Sequence, residues 1–317
     1  MEVVIGKRDA FFCNLKALLI LLVVYGHLIE KKIWSNDVLM WQYRLIYSVH
    51  MPLFAFLSGV FLKGTKSCLA QLKKAFKYYL FFQGLYIVVI KLMQGRTASF
   101  DTPYWHLWYL LSLSCWALIC LILETVEKYF SSPWLKAICI ITSIVLACIA
   151  GNIEEIDRTY SLSRTIVFLP YVLMGKYYPT DANIKKYRIW GILAGGLAVG
   201  LLIKFAPWMP VSFLYQADSY QARGVENGEL LRLLTYVIGI GMGLCILAFV
   251  PRKRLAISRI GVNTLWIYIF HAPFVLYLRK VLIWKEEFQY MALFIAIIVV
   301  ILLYKTFQQN ERLYRIV

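Results

Sequence analysis

Residues 8–27 read RDAFFCNLKALLILLVVYGH, and this stretch decides the fold class. From Ala17 to Gly26 no charge interrupts it. With its flanks the apolar run reaches about twenty residues, enough for a helix to cross roughly 30 Å of hydrocarbon. Lys7 and Arg8 precede it as they would a signal peptide. The run is too long for one, holds Lys16, lacks an A-x-A-like end and is followed by many similar stretches, so it reads as a retained helix.

Working outward, apolar runs between charged or Pro/Gly-bearing breaks predict spans near 11–30, 45–62, 76–93, 105–123, 134–150, 164–178, 188–205, 230–249, 262–279 and 289–307. Hydrophobic residues make up 61% of the 317 positions and charged ones 16%, against about 25% charged in a soluble domain. No long polar stretch, internal repeat or low-complexity tract is left over. The expectation is an all-α integral membrane protein of about ten transmembrane helices, forming a single transmembrane domain over residues 1–317.

The net charge of +17 raises nucleic acid as a partner. The basic residues sit in short loops between apolar spans, where they orient helices and meet anionic lipid, so no nucleic-acid partner is expected. Outside the spans and near their ends, twenty Lys and Arg fall inside and thirteen outside when the N-terminus is cytoplasmic. The clusters Lys63 to Lys77, Lys176 to Arg188 and Arg252 to Arg259 all fall inside. The positive-inside rule therefore predicts both ends in the cytoplasm of a cell that carries the chain in its cytoplasmic membrane. Seven cysteines show no C-x-x-C pair and no His/Cys metal spacing, which argues against a structural disulfide or a metal.

All four histidines fall toward the outer side in this topology. His27 lies where the first helix exits, His50 where the second enters, His106 opens the fourth, and His271 is in the outer half of the ninth. Arg164 begins the sixth helix on the same side. Any one of them suits an ordinary interface, but five from five helices at one depth point to a polar interior site. Lys16 lies within the first span, eleven residues before His27. That is three turns to within about 20°, so the two share a face roughly 16 Å apart along the axis. Snorkelling to the cytoplasmic interface is the plainer reading of Lys16. Glu30 follows His27 at i+3, placed to hold the other ring nitrogen. Thr264, Tyr268 and His271 share a stripe with Asn263 beside it. Arg164 and Tyr171 share a face of the sixth helix, where Pro170 removes a rung of the backbone ladder. In YWHLWYL, Trp105, His106, Trp108 and Tyr109 suit an aromatic belt about as well as a sugar-binding platform.

At these residues the chain resembles the acyltransferase-3 family of membrane acyltransferases, nearest to its fucose 4-O-acetylase-like members. Lys16 and His27 match the family's Arg/Lys-x10-His motif, and HMPLFAFLSG, YWHLWYL, RTIVFLPYVLMG and GVNTLWIYIFH follow in the family's order. The resemblance covers about residues 8 to 272. It implies a ten-helix domain that moves an acetyl or other acyl group from cytoplasmic acyl-CoA to a sugar hydroxyl of an exopolysaccharide, a capsule or a lipid-linked precursor. It also implies His27 as the catalytic residue, with Lys16 in the basic position. Asn14 departs from the Asp of many relatives, and the chain is too short for the extra hydrolase-like domain that some carry.

The residues fit that chemistry. A sugar hydroxyl attacking a thioester needs a base near neutral pH, and histidine has a reference pKa of about 6.5. No G-x-S-x-G elbow announces a serine acyl-enzyme. His27, oriented by Glu30, is the expected base, and Lys16 and Arg164 are cations for thioester, phosphate or oxyanion. His50, His106, Trp105, Tyr171, Asn263, Tyr268 and His271 complete the expected acyl-CoA or acceptor site. Acetyl-CoA is the expected donor, with no metal, and membrane lipid and glycan-assembly proteins are expected partners. Lys73, Lys74, Lys185, Lys186, Arg252, Lys253 and Arg254 suit either the CoA phosphates or lipid headgroups. A transporter or flippase for a glycolipid or small anion is the alternative from another class, and acylation of a protein, peptide or lipid is the alternative within the enzymes.

Overall fold

The computed structural model describes residues 9–95, 97–130, 132–179, 184–282 and 287–308. Lys7 and Arg8 lie outside the described residues. Within them the chain is all-α: α1 Ala10–Ile29, α2 Asp37–Phe61, α3 Thr65–Gln94, α4 Trp108–Tyr129, α5 Pro133–Ala150, α6 Leu162–Lys176, α7 Arg188–Phe205, α8 Gly228–Phe249, the short α9 Ser258–Val262, α10 Thr264–Leu282 and α11 Phe288–Gln308.

Eight of these, α1 to α5, α7, α8 and α11, are long and apolar enough to cross a membrane. The chain is a multi-pass integral membrane protein. Along α5, Trp134, Ile138, Ile141, Val145 and Ile149 form an exposed stripe at three- and four-residue spacing, the face that lipid covers. The sixth and ninth expected spans correspond to α6 and α10, which are not among the eight. α6 has 15 residues, about 22 Å of helix, and α10 carries Pro273, Arg279 and Lys280.

The helices overrun their expected spans. α2 begins at Asp37 rather than 45 and α3 at Thr65 rather than 76. Hydropathy finds the part of a helix that sits in hydrocarbon, while the backbone ladder continues into the polar flank. At the fourth span the difference is reversed: α4 starts at Trp108, and Trp105, with φ 27°, lies in the turn before it.

The chain divides into two compact units. Unit 1 comprises Met1–His50, Asn183–Val199 and Gly241–Val317. Asp9 caps α1, its carboxylate accepting from the Phe11 N–H at 2.8 Å. α1 packs on α9, α10 and α11, and Gly261 of α9 lies against the Cys13 carbonyl, where any Cβ would overlap backbone. Without a hydrophobic force between helices in lipid, such small residues let backbones approach. Asn14 fixes the chain beyond α8 to α1: its amide donates to the carbonyls of Pro251 at 2.9 Å and Lys253 at 3.0 Å and accepts from the Ser258 hydroxyl at 2.5 Å.

Unit 2 comprises Met51–Ala182 and Gly200–Ile240. Its core joins Ala55, Trp116, Phe168, Tyr171 and Tyr236 among others, and the Trp116 indole donates to the Thr165 carbonyl at 2.8 Å. Gly59 of α2 and Gly175 of α6 meet the partner helix's backbone reciprocally. At one end of the unit, Lys176 is ion-paired with Glu124, and Lys63 donates to the Tyr178 carbonyl. At the other, Ser112 meets Ser161 and Thr165, and the Tyr160 N–H donates to Asp101.

Candidate functional site

Unit 1 gathers three of the histidines. His27 stands in the last turn of α1, and its ring stacks on His271 of α10, with centroids 5.4 Å apart and planes at 25°. Tyr47 of α2 stands edge-on to His27, its hydroxyl 3.5 Å from Nδ1. The same tyrosine meets His50 edge-on at 4.7 Å. His50 is therefore not at a helix entrance. α2 begins so much earlier than hydropathy suggests that His50 falls in mid-helix, 3% exposed. His271 is fully buried. The Nδ1 atoms of His50 and His271 lie 2.7 and 2.6 Å from the carbonyls of Ile46 and Tyr268. A carbonyl only accepts, so Nδ1 carries the proton in each ring.

Glu30 comes within 3.9 Å of His27 Nδ1, a charge contact rather than a formed hydrogen bond. Its other neighbour is Arg279 in the last turn of α10, whose guanidinium donates both to the Glu30 carboxylate and to the main-chain oxygen of His27. Burial alone would raise the Glu30 carboxyl. The His27 ring and the Arg279 guanidinium outweigh it and bring the pKa down to about 2. Glu30 is thus a fixed negative charge on the Nδ1 side of His27. Arg279 and Tyr47 escaped the sequence reading. Arg279 looks like a topological helix-end charge, and Tyr47 is one of 22 tyrosines that nothing in its neighbourhood marks out.

Toward the other end of α1, Lys16 is half-buried, two residues on from the Asn14 anchor. The Arg252 guanidinium lies over the Phe11 ring at 5.6 Å. Asn263, 8% exposed, closes α9, and Tyr268 is one turn before His271 on α10. The side chain of Lys185 lies outside the described residues.

The remaining expected residues belong to unit 2. Arg164 places its guanidinium over the Trp108 ring at 4.8 Å, and its Nε donates to the Tyr215 carbonyl at 3.1 Å. Trp108 stacks in turn on Phe168 at 5.5 Å. His106 does not open α4. It is buried in the turn ahead of it, edge-on to Tyr86 at 5.7 Å and Trp105 at 6.0 Å. Tyr171 sits in the apolar core, its hydroxyl donating to the Thr235 carbonyl at 3.3 Å. Among the described residues no three His, Cys, Asp or Glu side chains are placed to hold a metal ion.

The family described as an acyltransferase domain (Acyl_transf_3) matches residues 9–305. Over 63 residues the chain is 43% identical to the nodulation protein NolL of Sinorhizobium fredii (strain NBRC 101917 / NGR234), a stretch amounting to 19% of this chain and 17% of that protein. The match thus covers under a fifth of that relative's length. No solved structure matches the chain.

Proposed function

Because this chain belongs to the acyltransferase-3 domain family, we propose that it is an acyl-CoA-dependent O-acyltransferase of the fucose 4-O-acetylase-like kind. It moves acetyl from cytoplasmic acetyl-CoA to a sugar hydroxyl of an exopolysaccharide, a capsule or a lipid-linked glycan. Residues 1–317 act as one transmembrane domain of ten crossings with both ends in the cytoplasm. The ends of α6 support that count: one lies beside Asp101 and Gln216, the other beside Lys63 and Glu124. For α10, the start follows α9, which lies against Cys13, and the end reaches Glu30, so it runs alongside α1 for its length.

The observation that carries the chemical reading is His27 with a partly buried carboxylate held beside its Nδ1. A negative charge there favours Nδ1–H and leaves Nε2 as the base, and it stabilises the imidazolium that follows. The acceptor oxygen attacks the thioester carbonyl carbon while Nε2 takes the hydroxyl proton. The tetrahedral intermediate then collapses, the C–S bond breaks, and the proton passes from His27 to the departing CoA sulfur. Lys16 flanks the donor's path, and Arg164, Trp105 and His106 serve the acceptor. Asn263, Tyr268 and His271 line the donor side, while His50 and Tyr171 support the helices that carry the site.

The test is release of CoA thiol from acetyl-CoA by detergent-purified protein with a sugar acceptor, run beside His27→Ala. The variant should bind acetyl-CoA and lose about 10²–10⁴-fold in kcat. Wild-type turnover by His27→Ala would sink the mechanism, and thiol release by neither protein would favour a glycolipid or anion transporter.

A further inference from the structure

The connection 206–224 between α7 and α8 is folded and bonded down. It makes three 3-10 turns, Ala206–Trp208, Val211–Tyr215 and Gln221–Arg223. Tyr220 donates its N–H to the Gly151 carbonyl at 2.7 Å and its hydroxyl to the Cys148 carbonyl at 2.9 Å. The Gln216 carbonyl accepts from Ser163 at 2.9 Å, and that of Tyr215 accepts from Arg164. Gly151 lies against the hydroxyl end of the Tyr220 ring and Gly228 against its Cγ end, where a Cβ on either would overlap it. The segment caps the ends of α5 and α6 within unit 2.

Under this cap the hydrogen bonding is incomplete. Arg232, in the second turn of α8, is fully buried, with the rings of Phe213 and Tyr220 each 5.3 Å from its guanidinium carbon. Those rings answer its positive charge, but its Nε and Nη1 have no acceptor among the described residues. The Gln216 side-chain oxygen, on a residue held at φ 55°, has no donor among the described residues either. Other buried polar side chains of the unit, such as Ser112, Trp116 and Tyr236, find partners. Folded proteins leave few such groups unmatched, and a buried cation with unused donors calls for an oxyanion.

We propose that Arg232, Gln216, Phe213 and Tyr220 form a binding site for an anionic sugar group of the acceptor, its carboxylate or phosphate on Arg232 and a hydroxyl on Gln216. The proposal rests on the reading that the acceptor is a glycan. It adds that this glycan is acidic, either in a sugar carboxylate or in the phosphate of its precursor. Since Arg232 is enclosed, the ligand enters when segment 206–224 lifts, and its binding is seen as protection of that segment.

The test measures thermal shift and hydrogen exchange on the purified full chain with glucuronate, with inorganic phosphate and with neutral glucose. Glucuronate or phosphate, but not glucose, should raise the melting temperature and slow exchange across 206–224. Arg232→Gln should weaken that anion's binding about ten-fold or more, and Arg232→Lys should recover part of it. A response to glucuronate alone assigns the carboxylate, and a response to phosphate alone assigns the phosphate. No response to either, or the same response in Arg232→Gln, overturns the site. If Arg232→Gln does not fold, Gln216→Asn decides, because Asn tolerates the left-handed backbone there. It should weaken the bound anion without lowering the unliganded melting temperature, and unchanged affinity overturns the site. Arg232-dependent binding without thiol release from acetyl-CoA would remove the transferase reading and leave the site standing. Thiol release without such binding would do the reverse.

Discussion

Arg279 ties the end of α10 to the end of α1 by closing an ion pair with Glu30 while it donates to the main-chain oxygen of His27. One side chain thereby holds both the carboxylate beside the His27 ring and the backbone that carries the ring. Neither helix end has freedom to turn His27 independently of Glu30.

Arg279→Gln should therefore act on turnover more than on donor binding. It leaves Glu30 without its cation and His27 without its carbonyl anchor. We expect a loss of about 2 kcal/mol in stability, reduced from a fully buried pair because Glu30 is a quarter exposed. A kcat reduced about ten-fold or more should accompany it, with acetyl-CoA affinity unchanged. Arg279→Lys should recover stability further than turnover, since a point charge restores the pair but not both contacts. Equal losses in kcat and in acetyl-CoA affinity would contradict the positioning role.

Glu30 sets a specific pH window. Its pKa is depressed from 4.5 to about 2 in the fold. The stability it contributes is fully present above 4.5 and is lost as pH falls from there toward 2. Melting temperatures of the wild type and Glu30→Gln should differ at pH 6 and converge at the acid end of that window. A gap between the two proteins that persists unchanged down to pH 2 would show that Glu30 acts by packing.

Asn14→Asp restores the residue common in the resembled family, yet in this chain it should be harmful. A carboxylate has no protons for the carbonyls of Pro251 and Lys253, and it sets a negative charge against both. We expect about 2 kcal/mol of destabilisation. The basic stretch Arg252 to Arg254, freed from α1, should raise the KM for acetyl-CoA while kcat changes little. Stability and KM at wild-type values would mean that Asn14 does not pin that stretch.

The apolar runs by themselves determined that the chain is helical and lies in a membrane, because hydrocarbon accepts no unpaired backbone and a twenty-residue run has few other uses. The spacing of Lys16, His27 and Glu30 was equally legible, since residues on one helix keep their relation whatever surrounds it. Partners on other helices were not. That Tyr47, His271 and Arg279 are the ones meeting His27 depends on the rotation and depth at which α2 and α10 pack on α1, and hydropathy carries neither. His50 shows the gap: its position along the chain suggested an entrance, but α2 extends into its polar flank and sets it at mid-helix. The connection 206–224 marks the same limit. It falls between two expected spans, and only packing on α5 and α6 makes it a cap, because the groups that bind it down, Cys148, Gly151 and Ser163, are more than fifty residues away in sequence. Periodicity reports what each helix must bury; which side chains then meet is decided by close packing between helices, where half a turn of rotation exchanges every partner.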